Sequence, residues 1–352
     1  MIKNFNLNED TITTQITVTN GFFDGGVGTL GGSNLSTSSL SATQKNYYYN
    51  LQYNSKDHFS ITYGHRGGSG SAEESATVEG TTQAIYKQIF NLVETNSENI
   101  RDGAGFSMID GTNGDNAVTQ EDVYVLAAER LQMKDRLNPG TWTITLSGSN
   151  TAGTAASVNL TDDSKTVAAE SAPFGPRYHI VEGSAGSVTT AYDTKTYGHF
   201  YPDAGLMVFS ANALSSSLPG DAEFKTSGSD FVGGGTGLAP DHRVIDGADN
   251  AHKLTRAIQL GSVTLRSEEQ QYIFDYFCRA KANEFNLSEN LTFWSGSDYT
   301  IRHSDMVTNP QTFISEVGLY DGQNRLVAVG RLSSPINKNF SSEAIVKVRL
   351  TY

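Results

Sequence analysis

The amino-acid sequence predicts a mainly β protein with a few helices: a β-rich α+β fold with an antiparallel, β-sandwich-like core and long Gly/Ser-rich loops. Three observations predict it. Glycine supplies 35 of the 352 residues and charged residues only 18%, a balance that suits strands, tight turns and polar loops better than helical bundles. Apolar residues alternate with polar ones in several short runs. The segment 311–352 reads as three consecutive strands, one greasy face and one polar face each, as in an antiparallel sheet packed on a core.

The elements follow in chain order. Ile12, Ile16 and Val18 interleave with threonines and Gln15, a strand. Gly21 to Thr43 is then too polar for core and too long for a hairpin turn, so it reads as a flexible loop or an arm ordered by a partner. These pieces form an N-terminal region, 1–45, ahead of a β-rich structural domain, 46–352. HFSITYG is a half-buried strand, with Phe59, Ile61 and Tyr63 on one face. TTQAIYKQIFNLVET is the clearest early helix, with Ile85, Ile89 and Leu92 at helical spacing and Tyr86, Phe90 and Val93 widening the stripe. EDVYVLAAERL fits either a second helix or a strand around Val123 and Val125. Pro139-Gly140 marks a turn before TWTITL, where Trp142, Ile144 and Leu146 share a face. RYHIV and AGLMVFS read as strands, and FVGGGTGLAPDHR as a long loop. SEEQQYIFDYFCRAKANEF reads as the best helix, with capping-box spacing at Ser267 and Gln270 and an apolar stripe of Ile273, Phe274, Phe277 and Cys278. Asp321-Gly322-Gln323-Asn324 joins the closing strands QTFISEVGLY and RLVAVGRL as a hairpin, with Gly322 expected to supply the positive backbone angle.

Charge and cysteine usage exclude several classes. The formal net charge of −13 argues against nucleic acid as a partner, which needs a basic face, and against an anionic membrane surface. One cysteine, Cys278, excludes an intrachain disulfide framework and reads as a buried, inert thiol. MIKNFNLNED has no basic segment followed by an apolar run, so no secretory leader is expected.

Motifs that carry chemistry are incomplete. Gly26, Gly28 and Gly31 have dinucleotide-fingerprint spacing, but no helical stripe follows to present its N–H groups to a pyrophosphate. Asp110 and Glu121 stand at first and twelfth positions of a calcium loop whose sixth position is Asp115 instead of glycine; a looser oxygen site would use Asp110, Asn113 and Asp115. Asp241, His242, Asp246, Asp249 and His252 form the densest acid–imidazole group, in what reads as a Gly-flanked loop. Adjacent acids such as Glu73-Glu74 and Asp162-Asp163 point to opposite faces of a strand. No enzyme, cofactor or metal is expected.

At the C-terminus, NPQTFISEVGLYDGQNRLVAVGRLSSPINKNF followed by IVKVRLTY resembles the closing hairpin and final strand of phage tail baseplate and fibre-associated proteins. YYYNLQY, HFSITYGHRGGSGS, TQAIYKQIFNLV, PGTWTITLSG, LTDDS, FGPRYHIVEGSAG and YGHFYPDAGLMVFS extend the likeness, in order, to virion proteins of T-even-like myoviruses that infect cyanobacteria and other marine bacteria. The resemblance covers residues 45–352 and is to the small dimeric wedge component of the baseplate. It implies a structural, non-enzymatic subunit with a β-sandwich core, a homodimer, no cofactor and other baseplate or tail proteins as partners. It also implies assembly in the host cytoplasm and residence in the virion tail. A tail-fibre attachment or receptor-binding protein is the alternative. Sixteen Tyr and 17 Phe provide large contact area at low entropic cost. The expected contact residues are Phe22, Phe23, Tyr47, Tyr48, Tyr49 and Phe231, with His65 and Arg66 facing an acidic partner.

Overall fold

The structure is a computed structural model that describes residues 3–37, 48–68, 80–94, 105–111, 113–149, 155–215, 247–296, 298 and 300–352. Tyr47, Phe231, Glu73-Glu74 and the group Asp241, His242 and Asp246 lie outside them, as do the side chains of Asp249 and His252. The fold is mainly β, with six α-helices among the described residues. Contacts divide the chain into two units: Val18–Glu269, and Met1–Thr17 together with Gln270–Tyr352. The N-terminal region expected to end at residue 45 is thus split between them.

The larger unit is organised by a 13-stranded sheet. Its order runs through Thr29–Gly31, Ser262–Thr264, Thr143–Ser149, Ala155–Asp162, Gly175–Ser184, Gly198–Tyr201, Leu206–Ser210, Asp122–Ala128, Lys56–His65, Tyr48–Tyr53 and Ser36–Thr37. The segment 121–130 therefore resolves as strand. Asp122–Ala128 is a central strand, and its first five residues are all buried. Tyr124 and Leu126 join the large core with Trp142, Ile144 and Phe200. Val123 and Val125 join a second core with Tyr86, Val93 and Val208. Burial on both faces explains its unbroken apolar run.

A helix supports each core. Thr81–Val93 forms where expected, but it buries Thr82, Tyr86 and Val93 while Leu92 is exposed, so its inward face is rotated from the predicted stripe. Gly64 admits this helix: a Cβ there would stand 3.0 Å from the Tyr86 backbone. The helix Gly247–Leu260 packs against the strands Thr143–Ser149, Lys56–His65 and Tyr48–Tyr53. It buries Ala251, Leu254, Ala257 and Ile258, a helical-period stripe.

Within the Gly-rich stretch, residues 21–37 form short strands and tight turns. Gly25 and Gly26 both adopt φ of +77°, which turns the chain so that the Phe23 N–H donates to the Val27 carbonyl (2.9 Å). Glycine here serves a tight turn, not flexibility. Leu30 and Leu35 are buried, and Leu30 pairs with Val263.

Ser267 onward is not a helix. Residues Arg266–Ala280 form a 15-residue strand, pairing Phe274 with Leu350, Asp275 with Arg349 and Tyr276 with Val348. Tyr, Ile and Phe favour a pleated, half-buried surface, and pairing with the strand Ala344–Thr351 overrides the capping-box spacing. Cys278 sits half-buried in this strand, where burial pushes its thiol pKa up. Asp275 accepts from Arg349 Nε (2.8 Å) and pairs with Lys347 Nζ (2.7 Å). Hydrogen bonds from these two cations hold its carboxyl at about 2. The strand Ala344–Thr351 keeps its expected faces: Ala344 and Val346 inward, Ile345, Lys347 and Arg349 outward.

The hairpin Gln311–Tyr320/Leu326–Asn339 also forms. Its positive φ falls on Asn324 (62°), not Gly322. Asp321 Oδ1 accepts the N–H groups of Gln323 and Arg325, both at 2.8 Å, closing an Asx-type turn that places Asn in the left-handed region. Buried Lys338 donates to Ala282 O (3.1 Å), Asn286 Oδ1 (2.7 Å) and Asn339 O (2.9 Å), tying the hairpin to the loop at 282–286.

Candidate functional site

The densest set of buried ionisable side chains lies on one face of the large sheet. In the pair Gly175–Ser184/Gly198–Tyr201, His179 stands opposite His199 and Tyr178 opposite Phe200. Alternation puts Tyr178 and Phe200 with the large core and leaves Arg177, His179, His199 and Tyr201 together on the other side. The neighbouring strand sets Glu170 opposite Arg177. Glu94 arrives from the C-cap of the helix Thr81–Val93, and Asp163 from the end of the strand Ala155–Asp162.

Arg177 bridges two acids. Its Nη1 donates to both Glu94 oxygens (2.8 and 2.7 Å), and its Nε donates to Glu170 Oε2 (2.9 Å). The Tyr201 hydroxyl also donates to Glu94, and His199 Nδ1 lies 3.3 Å from the same carboxylate. Asp163 accepts both the backbone N–H (3.0 Å) and Nδ1 (2.9 Å) of His179, whose ring stacks on Tyr192 at 4.5 Å. Among the described residues, neither imidazole is hydrogen-bonded to a hydroxyl or thiol nucleophile. The geometry is that of a clamp: it fixes the end of the helix to the sheet.

The electrostatics agree with that geometry. Burial works to raise the Glu94 pKa, but the hydrogen bonds from His199 and Tyr201 and the Arg177 charge outweigh it and hold the carboxyl at about 2. Burial of His199 lowers its pKa against the pull of Glu94, so its imidazole is neutral at pH 7 and donates from Nδ1. Burial and the Glu94 charge keep the Tyr201 phenol protonated. Arg177 is opposed by burial yet held firmly charged by Glu94 and Glu170.

These shifts predict acid sensitivity. Glu94 falls from 4.5 to about 2 on folding and His199 falls below 6.5, so both bind protons more tightly in the unfolded chain. Their stabilisation is complete above pH 6.5. It declines as pH falls, first through the His199 range and then between 4.5 and about 2 for Glu94. Asp162, whose pKa burial raises, offsets part of this loss. The urea midpoint of the larger unit, read from Trp142 fluorescence in a Trp294→Phe background, should fall from pH 7 to pH 3. Glu94→Gln should flatten the lower part of that slope, whereas a midpoint independent of pH would contradict the assignment.

The residues expected to make contacts are placed differently. Phe22 and Phe23 are each 1% exposed and belong to the large core; Phe22 stacks on Phe59 at 4.9 Å. They are core residues because the glycine turn folds them inward. Tyr48 is 47% exposed, opposite Thr62, while Tyr49 packs half-buried on the core opposite Ile61. His65 is buried and its Nδ1 accepts the Gly67 N–H (3.0 Å), which corrects the expectation of a partner-facing imidazole. Arg66 Nη1 is paired with Glu121 Oε1 at 2.8 Å. Asp110, from the calcium-like loop, is buried and accepts from Gln120 Nε2 (3.0 Å) and Asn212 Nδ2 (2.7 Å). Among the described residues, no group of three or more His, Cys, Asp or Glu is placed to hold a metal, and no helix is long and apolar enough to cross a membrane. The ionic cluster itself was announced by Arg177, His179, His199 and Tyr201, polar residues two apart in strands otherwise apolar. Compared with known protein families, with curated proteins and with solved structures, the chain matches none.

Proposed function

We propose that this chain is a non-enzymatic structural subunit of a contractile phage tail baseplate, a wedge protein that joins neighbouring baseplate proteins. One observation carries the reading. The C-terminal strands leave Phe313, Tyr320, Leu326, Val327, Val329 and Ile345 about half exposed, between 49 and 58%, on elements that include a two-stranded hairpin. Such a hairpin is marginal alone, and five of these six exposed apolar side chains lie along its two strands, where a partner can cover them. The residues of this same segment carry the resemblance to tail proteins, and the mainly β fold is the one that resemblance implies. The ionic cluster fits the reading as a clamp that stiffens the sheet.

Quantitative mass spectrometry of purified tails, before and after the fibres are stripped, tests it. A wedge subunit should be present at a fixed ratio to the other baseplate proteins and remain when the fibres leave. Loss with the fibres would favour attachment or receptor binding, and absence from the tail would overturn the proposal.

A further inference from the structure

The strand Thr11–Gly21 is the unguarded sheet edge of this protein. It stands at the end of its sheet order, beside the strand Arg266–Ala280, and every residue from Ile12 to Thr17 is exposed. An edge strand presents a row of unpaired N–H and C=O groups, which proteins blunt with charges, proline, bulges or extreme shortness. The other edges described here carry such devices. The large sheet ends in strands of three and two residues, Thr29–Gly31 and Ser36–Thr37. The strand Ala344–Thr351 carries Lys347 and Arg349. The C-terminal hairpin holds Pro335, Glu316 and Arg331 and breaks register twice. Thr11–Gly21, TITTQITVTNG, has no charge, no proline and four residues, Thr11 to Thr14, of strongly β-forming type at its start.

We infer that this edge pairs antiparallel with the same strand of a second copy, about a two-fold axis at Thr14. The sequence is self-complementary in that register. Ile12 and Ile16, 54% and 37% exposed, lie on one face, and a two-fold at Thr14 sets Ile12 of each copy opposite Ile16 of the other. Thr11 then meets Thr17, and Thr13 meets Gln15. Opposed residues share a face, so two apolar pairs are covered with no like charges brought together. An axis at Gln15 would instead set Ile16 against Thr14. The inference deepens the homodimer of the proposed function by naming its surface, and rests on that reading only for the expectation of a dimer.

Cysteine crosslinking tests it, in full-length protein with Cys278→Ser to remove the native thiol. Thr14→Cys should form a disulfide-linked dimer under mild oxidation, and Thr13→Cys and Gln15→Cys should not. Wild type should scatter light as a dimer, and Ile16→Lys, at an exposed site with unchanged circular dichroism, as a monomer. A dimer that survives Ile16→Lys, or crosslinks at Gln15 and not at Thr14, would overturn this surface while leaving a dimeric baseplate subunit standing. A wild-type monomer would overturn it outright.

Discussion

Replacing Arg177 with Met should destabilise the larger unit by about 3–5 kcal/mol, the cost of leaving a buried carboxylate without its cation. Arg177 is the sole cation bonded to Glu94 among the described residues, and the side chains are only 22% and 12% exposed, so solvent cannot take its place. For a unit of this size the loss corresponds to a drop of roughly 10 °C in Tm. Arg177→Lys should recover only part of it. A lysine is a point charge and cannot reach Glu94 and Glu170 together as the guanidinium fork does. The double change Arg177→Met with Glu94→Gln should be more stable than Arg177→Met alone, because it removes the stranded charge. Urea unfolding of the four proteins at pH 7 measures all of these; equal stabilities would show that the cluster holds nothing in place.

Trp142→Ala should cost a similar amount, about 3–5 kcal/mol, for a different reason. Trp142 is fully buried and meets Phe200 edge-to-face at 5.4 Å, in the middle of the large core. Truncation there opens a cavity between strands already fixed by pairing on both sides, so the site cannot collapse to fill it. Trp142→Phe should cost much less, under about 1.5 kcal/mol. The indole Nε1 has no hydrogen-bond partner among the described residues, and an unsatisfied buried donor is itself a penalty that phenylalanine lacks. A Phe variant as unstable as the Ala variant would mean that the indole N–H is satisfied after all.

Period-two alternation made much of this fold legible in the sequence. HFSITYG and TWTITL form as read, because each has one face on a core and the alternation records it; RYHIV and AGLMVFS also form strands, buried on both faces. The closing segment forms three strands but not one sheet: Gln311–Tyr320 and Leu326–Asn339 pair with each other and stay largely exposed, while Ala344–Thr351 pairs with Arg266–Ala280. The failures have physical causes. SEEQQYIFDYFCRA satisfied a helix-cap pattern, yet its Tyr, Ile and Phe content matched a strand, and cross-strand pairing with Ala344–Thr351 decided the outcome. The helix Gly247–Leu260 was hidden by its glycine flank, although Ala251, Leu254, Thr255 and Ile258 repeat at helical spacing. Phe22 and Phe23 looked like an exposed arm because composition cannot distinguish glycines that loosen a chain from glycines that turn it. The ionic cluster assembles from Glu94, Asp163, Glu170, Arg177, His179, His199 and Tyr201, which come from a helix cap and several strand segments. Its members on the paired strands were visible as misplaced polar residues, but the acids that complete it come from elements that only the folded sheet brings together.

In the proposed role, this molecule would work through surfaces that neighbouring subunits cover. Hydrogen exchange over residues 311–339, compared between the isolated chain and purified tails, tests it most directly. The backbone amides of this hairpin should exchange at least about tenfold more slowly in the tail, on the order expected for edges newly paired or buried. Equal rates in the two states would contradict it.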